Sequence, residues 1–170
     1  MIYIYNDYGG THTTSMAAAY HLKKLPQSER KLSKEEILNI PYFNKLTHDD
    51  FGKLIFHGKD EDGNPVYTIG RKRNKLVVPA LKELILILQQ NHHFDEKVVF
   101  SNTSPTVPLI MTFGGMFSRG LKMNTIGVPL LVKGAIKCCD NVYRLVENTK
   151  HVGKTSFNEN VILLENEMYK

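Results

Sequence analysis

The chain opens on Met1-Ile2-Tyr3-Ile4-Tyr5, apolar at every position and rich in β-formers, the pattern of a buried strand. It turns polar at Asn6. Ser15 to Leu25 then has a helical composition that Thr13 or Thr14 can cap and that Pro26 stops. Ser33-Lys34-Glu35-Glu36 is a capping-box pattern ahead of a short helix ending before Pro41. Lys53 to His57 and Val66 to Ile69 flank a polar stretch from Gly58 to Pro65, which predicts a hairpin with a solvated tip. Leu76 to Gln90 carries apolar residues at 77, 80, 81, 84, 85 and 88, a helical spacing that puts Pro79 in the first turn. Lys97 to Phe100 reads as a short strand, and Val107 to Phe117 as a helix beginning near Pro108. Val128 to Val132 reads as a strand despite Pro129 near its start. Gly134 to Asn148 has apolar positions 135, 139, 142, 143 and 146, an amphipathic helix that Gly153 closes. Val161 to Leu164 is an edge strand.

Strands alternating with helices predict an α/β fold with a mostly parallel, mixed sheet and helices on both faces, a P-loop-like or Rossmann-like three-layer architecture. Residues 1–5, 97–101 and 128–132 are expected to be adjacent or near-adjacent parallel strands of one sheet. The whole chain, 1–170, fits a single domain, with the tail 154–170 an edge strand or flexible.

Composition narrows the classes. With 42% hydrophobic and 23% charged residues the chain can bury an ordinary core. The longest apolar run, Leu84 to Leu88, is far below a membrane span, so no membrane association is expected. The N-terminus lacks the features of a secretory signal. The two cysteines, Cys138 and Cys139, are neighbours and poorly placed to pair, which suits a reducing cytoplasm. A net charge of +5 permits phosphate-bearing partners without demanding them.

The sharpest chemical signal is Asn6-Asp7-Tyr8-Gly9-Gly10-Thr11-His12-Thr13-Thr14, a glycine turn between a strand and a helix N-terminus. Such a turn can gather backbone N–H groups and helix-dipole potential at one point. Gly9 and Gly10 allow close approach of a ligand, and Thr11, Thr13, Thr14 and Ser15 offer hydroxyls to phosphate oxygens or a metal ion. Laid over a Walker A pattern, however, Asn6 and Thr11 replace the glycines and His12 the lysine, and only Thr13 matches. Asp7-Tyr8-Gly9-Gly10-Thr11 also resembles the D-x-G-G-T phosphate motif of the sugar-kinase and actin-like superfamily. That superfamily needs two lobes, which 170 residues cannot build. Two readings therefore stand: an anion-binding loop, or a tight turn whose threonines and serine are ordinary caps.

Other residues are expected at the carboxyl edge of the sheet, where open α/β sheets bind ligands. Ser101-Asn102-Thr103-Ser104 ends a strand, with Asn102 where a P-loop enzyme carries a metal-binding acid. Arg71-Lys72-Arg73-Asn74-Lys75 can clamp phosphates or meet a nucleic-acid backbone. Lys133-Gly134 would be a second anion contact after a strand ending at Val132. Asp7 and His12 are the candidates for proton chemistry, Asp7 as base or metal ligand and His12 as acid or phosphate contact. His48-Asp49-Asp50 and His92-His93 match no standard metal spacing, and no metal site is assigned.

Ile2 to Tyr5, Tyr8-Gly9-Gly10-Thr11-His12-Thr13-Thr14, Ala17 to Ala19, His21-Leu22 and Leu25-Pro26 together resemble a family of small Gram-positive bacterial proteins, domain of unknown function 3189. Gly70-Arg71, Thr103-x-Pro105-x-Val107 and Gly114-Gly115-x-x-Ser118-Arg119 extend the resemblance to about residue 150. It implies a cytoplasmic bacterial protein and carries no established activity. The usual form has serines after the histidine, where Thr13 and Thr14 keep the hydroxyls.

The expectation drawn from the residues is a phosphate- or nucleotide-binding α/β protein, a divergent P-loop-like phosphotransferase or hydrolase. Gly9 to Ser15 would hold the anion, with Arg71 and His12 supplying charge and Asp7 or Asn102 orienting a metal or water. The alternative is a non-catalytic regulatory or binding module whose basic turn contacts nucleic acid or an acidic partner. The expected partner is a phosphorylated small molecule or nucleotide. The cofactor is left open, magnesium with a nucleotide being the candidate, and so are the oligomeric state and whether the protein is an enzyme at all.

Overall fold

A computed structural model describes residues 1–170 except His92, His93 and Asn158, so the His92-His93 pair lies outside the described residues. The apolar opening forms β1 (Ile2–Asp7), buried from Tyr3 onward, and the glycine turn leads into α1 (Thr13–His21). Ser33 caps α2 (Lys34–Leu38) in a true capping box. The hairpin is present as β2 (Ile55–Lys59) and β3 (Pro65–Gly70), antiparallel with an irregularity between Phe56 and Gly58. Then follow α3 (Val77–Gln90), β4 (Val98–Asn102), α4 (Leu109–Gly115), α5 (Asn124–Thr155) and β5 (Val161–Leu164).

The five strands form one mixed sheet in the order β2-β3-β1-β4-β5. β1 runs parallel to both β3 and β4, and β4 parallel to β5. The two-residue period of the strands splits the core. Tyr3, Tyr5, Val66 and Val99 face α1 and α5, in a cluster with Met16, Tyr20, Leu145 and Val146. Ile4, Ile69, Val98 and Phe100 face the other way, toward Val78, Leu81 and Ile85 of α3. Helices thus cover both faces. None is long and apolar enough, among the described residues, to cross a membrane.

One expected strand does not exist. Residues 128–132 lie inside α5, a helix of 32 residues and about 48 Å. Lys133-Gly134 is therefore mid-helix and follows no strand. The buried positions of α5 explain the difference: Gly127, Leu131, Gly134, Ala135, Cys138, Val142, Val146, Thr149 and Gly153 form one stripe at helical spacing. Gly153, expected to close a helix, belongs to that stripe together with Gly127 and Gly134. A Cβ on Gly134 would stand 2.7 Å from Met111 Cβ, and one on Gly153 would stand 2.8 Å from Tyr3 Oη. Pro129 sits near the helix start and removes a single backbone donor. The place next to β4 is taken by β5.

Candidate functional site

β1 is the pivot of the sheet, because the chain leaves it toward β3 on one side and β4 on the other. Ligands of open α/β sheets bind outside the carboxyl ends of the strands at such a switch point. A cleft of about 640 Å³ opens there, lined by Asp7, Tyr8, Gly9, His12, Met111 and Arg119 among others. That volume suits a small molecule.

The glycine turn is built around Asp7. Its Oδ1 accepts the Gly10 N–H at 2.5 Å, and its Oδ2 accepts the Thr13 hydroxyl at 2.9 Å. Burial pushes the Asp7 carboxyl up, while the N–H groups of Gly10 and Gly9, the Thr13 hydroxyl and the Arg71 charge pull it back. The turn's N–H groups thus converge on the protein's own carboxylate. Gly10 has φ +69°, and a Cβ there would stand 2.6 Å from Gly70 N. Its missing side chain admits β3, not a ligand. Gly9 is the glycine that faces the cleft.

Thr11, Thr13, Thr14 and Ser15 are fully buried and do not line the cleft. Thr11 donates to the Tyr42 carbonyl at 2.6 Å, and Thr13 also bonds Thr103 Oγ1 at 3.0 Å. Thr14 Oγ1 and Ser15 Oγ have no partner among the described residues.

Arg71 and Asn102 are separated from the glycine turn. Asn6 pairs with Asn102 in register, so both side chains leave the α3 face of the sheet, whereas Asp7 leaves the opposite face. Arg71 Nε donates to Asn6 Oδ1 at 3.0 Å, and its Nη2 lies 3.4 Å from both Asn102 Oδ1 and Ser104 Oγ. Asn102 Nδ2 in turn donates to Glu165 at 2.8 Å. These residues line a second hollow with Lys75 and Glu167. Of the basic turn, Arg73 reaches the main cleft, and Lys72 Nζ sits 4.7 Å above the Phe51 ring.

The residue missed from the sequence is Arg119. Past α4 the chain makes one wide π turn, Met116–Gly120, closed by Leu121 N–H donating to the Met116 carbonyl at 3.0 Å. The turn brings Arg119 over the glycine turn, where a Cβ on Gly9 would stand 3.8 Å from its Nη1. Arg119 is half-buried; burial pushes its pKa down while the charges of Asp7 and Asp50 pull it back up, and no hydrogen bond or ion pair holds its guanidinium among the described residues. The only signal for it was the Gly114-Gly115-x-x-Ser118-Arg119 pattern.

His12 lies beneath, its ring edge-on to Phe43 at 5.5 Å. Its Nε2 is 3.2 Å from Asn44 Oδ1. Burial lowers its pKa to about 4, so the ring is neutral at pH 7. Tyr8, Phe51 and His48 form an aromatic wall, with Tyr8 and His48 6.2 and 5.6 Å from Phe51. Val107, Met111 and Met116 form the apolar side. Asp50 is taken up in a cap with Thr47. Among the described residues no three His, Cys, Asp or Glu side chains gather to hold a metal ion. Cys138 and Cys139 are buried away from the cleft, and burial pushes the Cys138 thiol up to about 12.

Among the described residues the cleft thus offers two arginines without ion pairs, Arg119 over Gly9 and Arg73 from the basic turn, with a neutral imidazole, an aromatic wall and an apolar wall. No curated protein and no solved structure matches the chain significantly. One family model, described as Protein of unknown function (DUF3189), matches residues 2–151, and the chain belongs to that family.

Proposed function

We propose that the protein binds a small phosphorylated molecule, a sugar phosphate or nucleotide, in the cleft at the carboxyl ends of β1 and β4. Arg119 takes the anionic group. The observation that carries this reading is its half-buried guanidinium, unpaired among the described residues and held over Gly9. A half-buried guanidinium has lost part of its water without gaining a protein acceptor, and a phosphate oxygen can supply one. Arg73 lies at the same cleft, so we assign the basic turn to this ligand rather than to a nucleic-acid backbone. Tyr8 and Phe51 suit a planar or sugar moiety beside the phosphate. The sheet order around β1 supports a Rossmann-like or P-loop-like relationship by analogy of fold. Phosphoryl transfer has less support than binding, because Asp7 spends both oxygens inside the protein. A bacterial cytoplasm is the setting we propose, on the family resemblance and the two unpaired thiols.

The test is a thermal-shift screen over nucleotides, sugar phosphates and inorganic phosphate, with and without magnesium. A ligand at about 100 times its Kd should raise Tm by about 5–10 °C. Arg119→Ala removes a charge-assisted contact and should weaken binding about 10- to 100-fold, with the apo Tm nearly unchanged. No shift with any phosphorylated ligand, or an equal shift in Arg119→Ala, contradicts the reading.

A further inference from the structure

Behind His12 runs a chain of hydrogen bonds. Ser118 Oγ donates to Asn124 Oδ1 at 2.6 Å, Asn44 Nδ2 donates to Ser118 Oγ at 2.8 Å, and Asn44 Oδ1 faces His12 Nε2 at 3.2 Å. A serine hydroxyl has one proton and a carboxamide one donor end and one acceptor end, so the chain has a direction. With the Ser118 proton on Asn124, Asn44 must receive a proton from His12. The imidazole then carries its hydrogen on Nε2 and leaves Nδ1 as a bare lone pair. Nδ1 has no protein partner among the described residues, and His12 lines the cleft together with Arg119.

The reverse direction would turn both carboxamides over and put the proton on Nδ1, which lies 4.0 Å from the Cβ position of Gly115, a residue that lines the cleft. The guanidinium of Arg119 lies close enough to disfavour any added positive charge on the ring. The same field disfavours an N–H directed at it and favours a lone pair. Asn44 is held for this task by local structure: it has φ +55°, a conformation asparagine tolerates, and its N–H donates to the Thr11 carbonyl at 3.3 Å.

We propose that His12 is locked as the Nε2–H tautomer and presents Nδ1 to the cleft as a hydrogen-bond acceptor, so that the ligand carries a hydroxyl or N–H donor beside its anionic group. The ligand half of this statement rests on the phosphorylated-ligand reading above; the tautomer half does not. Asn44, Ser118 and Asn124 are positioning residues that hold the imidazole and touch no ligand. A polyol phosphate or a ribose phosphate has the required pair of groups, and a phosphate lacking a neighbouring hydroxyl does not.

Long-range ¹H–¹⁵N correlation spectra of the histidine-labelled wild-type protein at pH 7, without ligand, report which ring nitrogen bears the proton. A pyridine-like Nδ1 and a pyrrole-like Nε2 are expected for His12; a protonated Nδ1 overturns the proposal. Glycerol 3-phosphate and propyl phosphate are then compared by titration. The hydroxyl-bearing ester should bind about tenfold more tightly to the wild type, and the ratio should approach one in His12→Phe. Equal binding of the two esters to the wild type overturns the ligand half. If neither ester nor any other phosphate binds, the phosphorylated-ligand reading falls, and the spectrum alone decides the tautomer.

Discussion

Lowering the pH from 7 to 4 should cost this protein a large part of its stability. Burial holds His21 and His57, like the less enclosed His12, at pKa values of about 4, against an ordinary 6.5. His21 is enclosed, with Nδ1 2.7 Å from the Tyr5 hydroxyl and Nε2 3.2 Å from Asp60. His57 Nε2 is 3.0 Å from Thr68 Oγ1. The folded pKa lies below the unfolded one, so between these values the unfolded chain binds protons that the folded chain refuses. Their contribution is therefore fully present above about pH 6.5 and is lost as pH falls toward 4. Each is worth about 3 kcal/mol at most, and the pair about 6 kcal/mol, against a typical total of about 5–15 kcal/mol. Asp7 works in the opposite sense. Its carboxyl is raised, so ionisation there opposes folding, and acid relieves part of that cost. Urea unfolding at pH 7, 6, 5 and 4 measures the balance. The midpoint should fall steadily, and His57→Gln should flatten the profile. A midpoint constant from pH 7 to 4.5 would mean that these histidines are not buried neutral.

Gly10→Val should destabilise the fold by about 4 kcal/mol or more, while Gly9→Ala should be nearly silent. The two glycines are neighbours in sequence but face different surroundings. At Gly10 the φ of +69° disfavours any β-branched residue, and the new Cβ would stand 2.6 and 2.9 Å from N and Cα of Gly70. Gly70 cannot retreat, because Arg71 N–H donates to the Asp7 carbonyl at 3.0 Å and Lys72 N–H to the Tyr8 carbonyl at 2.9 Å. A Cβ at Gly9 meets nothing nearer than 3.8 Å. Thermal and urea unfolding of both variants check the contrast. A Gly10→Val protein with wild-type Tm would contradict the packing of β1 on β3.

Much of this architecture was legible in the chain. The period-two and period-3.6 patterns place β1, the hairpin, α3, β4 and β5 close to where they lie. The failure at residues 128–132 has a physical cause: a short apolar run does not distinguish a strand from one turn of a buried helix. Gly127 and Gly134, on either side of that run, let α5 approach Ser118 and Met111 instead of ending an element. Half of the cleft was legible too. Asp7, Gly9 and His12 line it, but the hydroxyls of Thr11, Thr13, Thr14 and Ser15 are buried in the core. The division of Arg71 and Asn102 from Asp7 follows from strand alternation alone, since even positions of β1 face α3 and odd positions face α5. Arg119 was not legible, because it reaches the glycine turn from more than 100 residues away through a π turn that no local pattern announces.

Where a phosphate sits decides the function of this cleft. The most direct measurement is a crystal structure of the wild-type protein soaked with the phosphorylated ligand that gives the largest thermal shift. Phosphoryl density is expected over Gly9, within hydrogen-bond distance of the Arg119 guanidinium. Density beside Arg71 and Asn102 instead, or an empty cleft in crystals grown with that ligand at saturation, would contradict this placement.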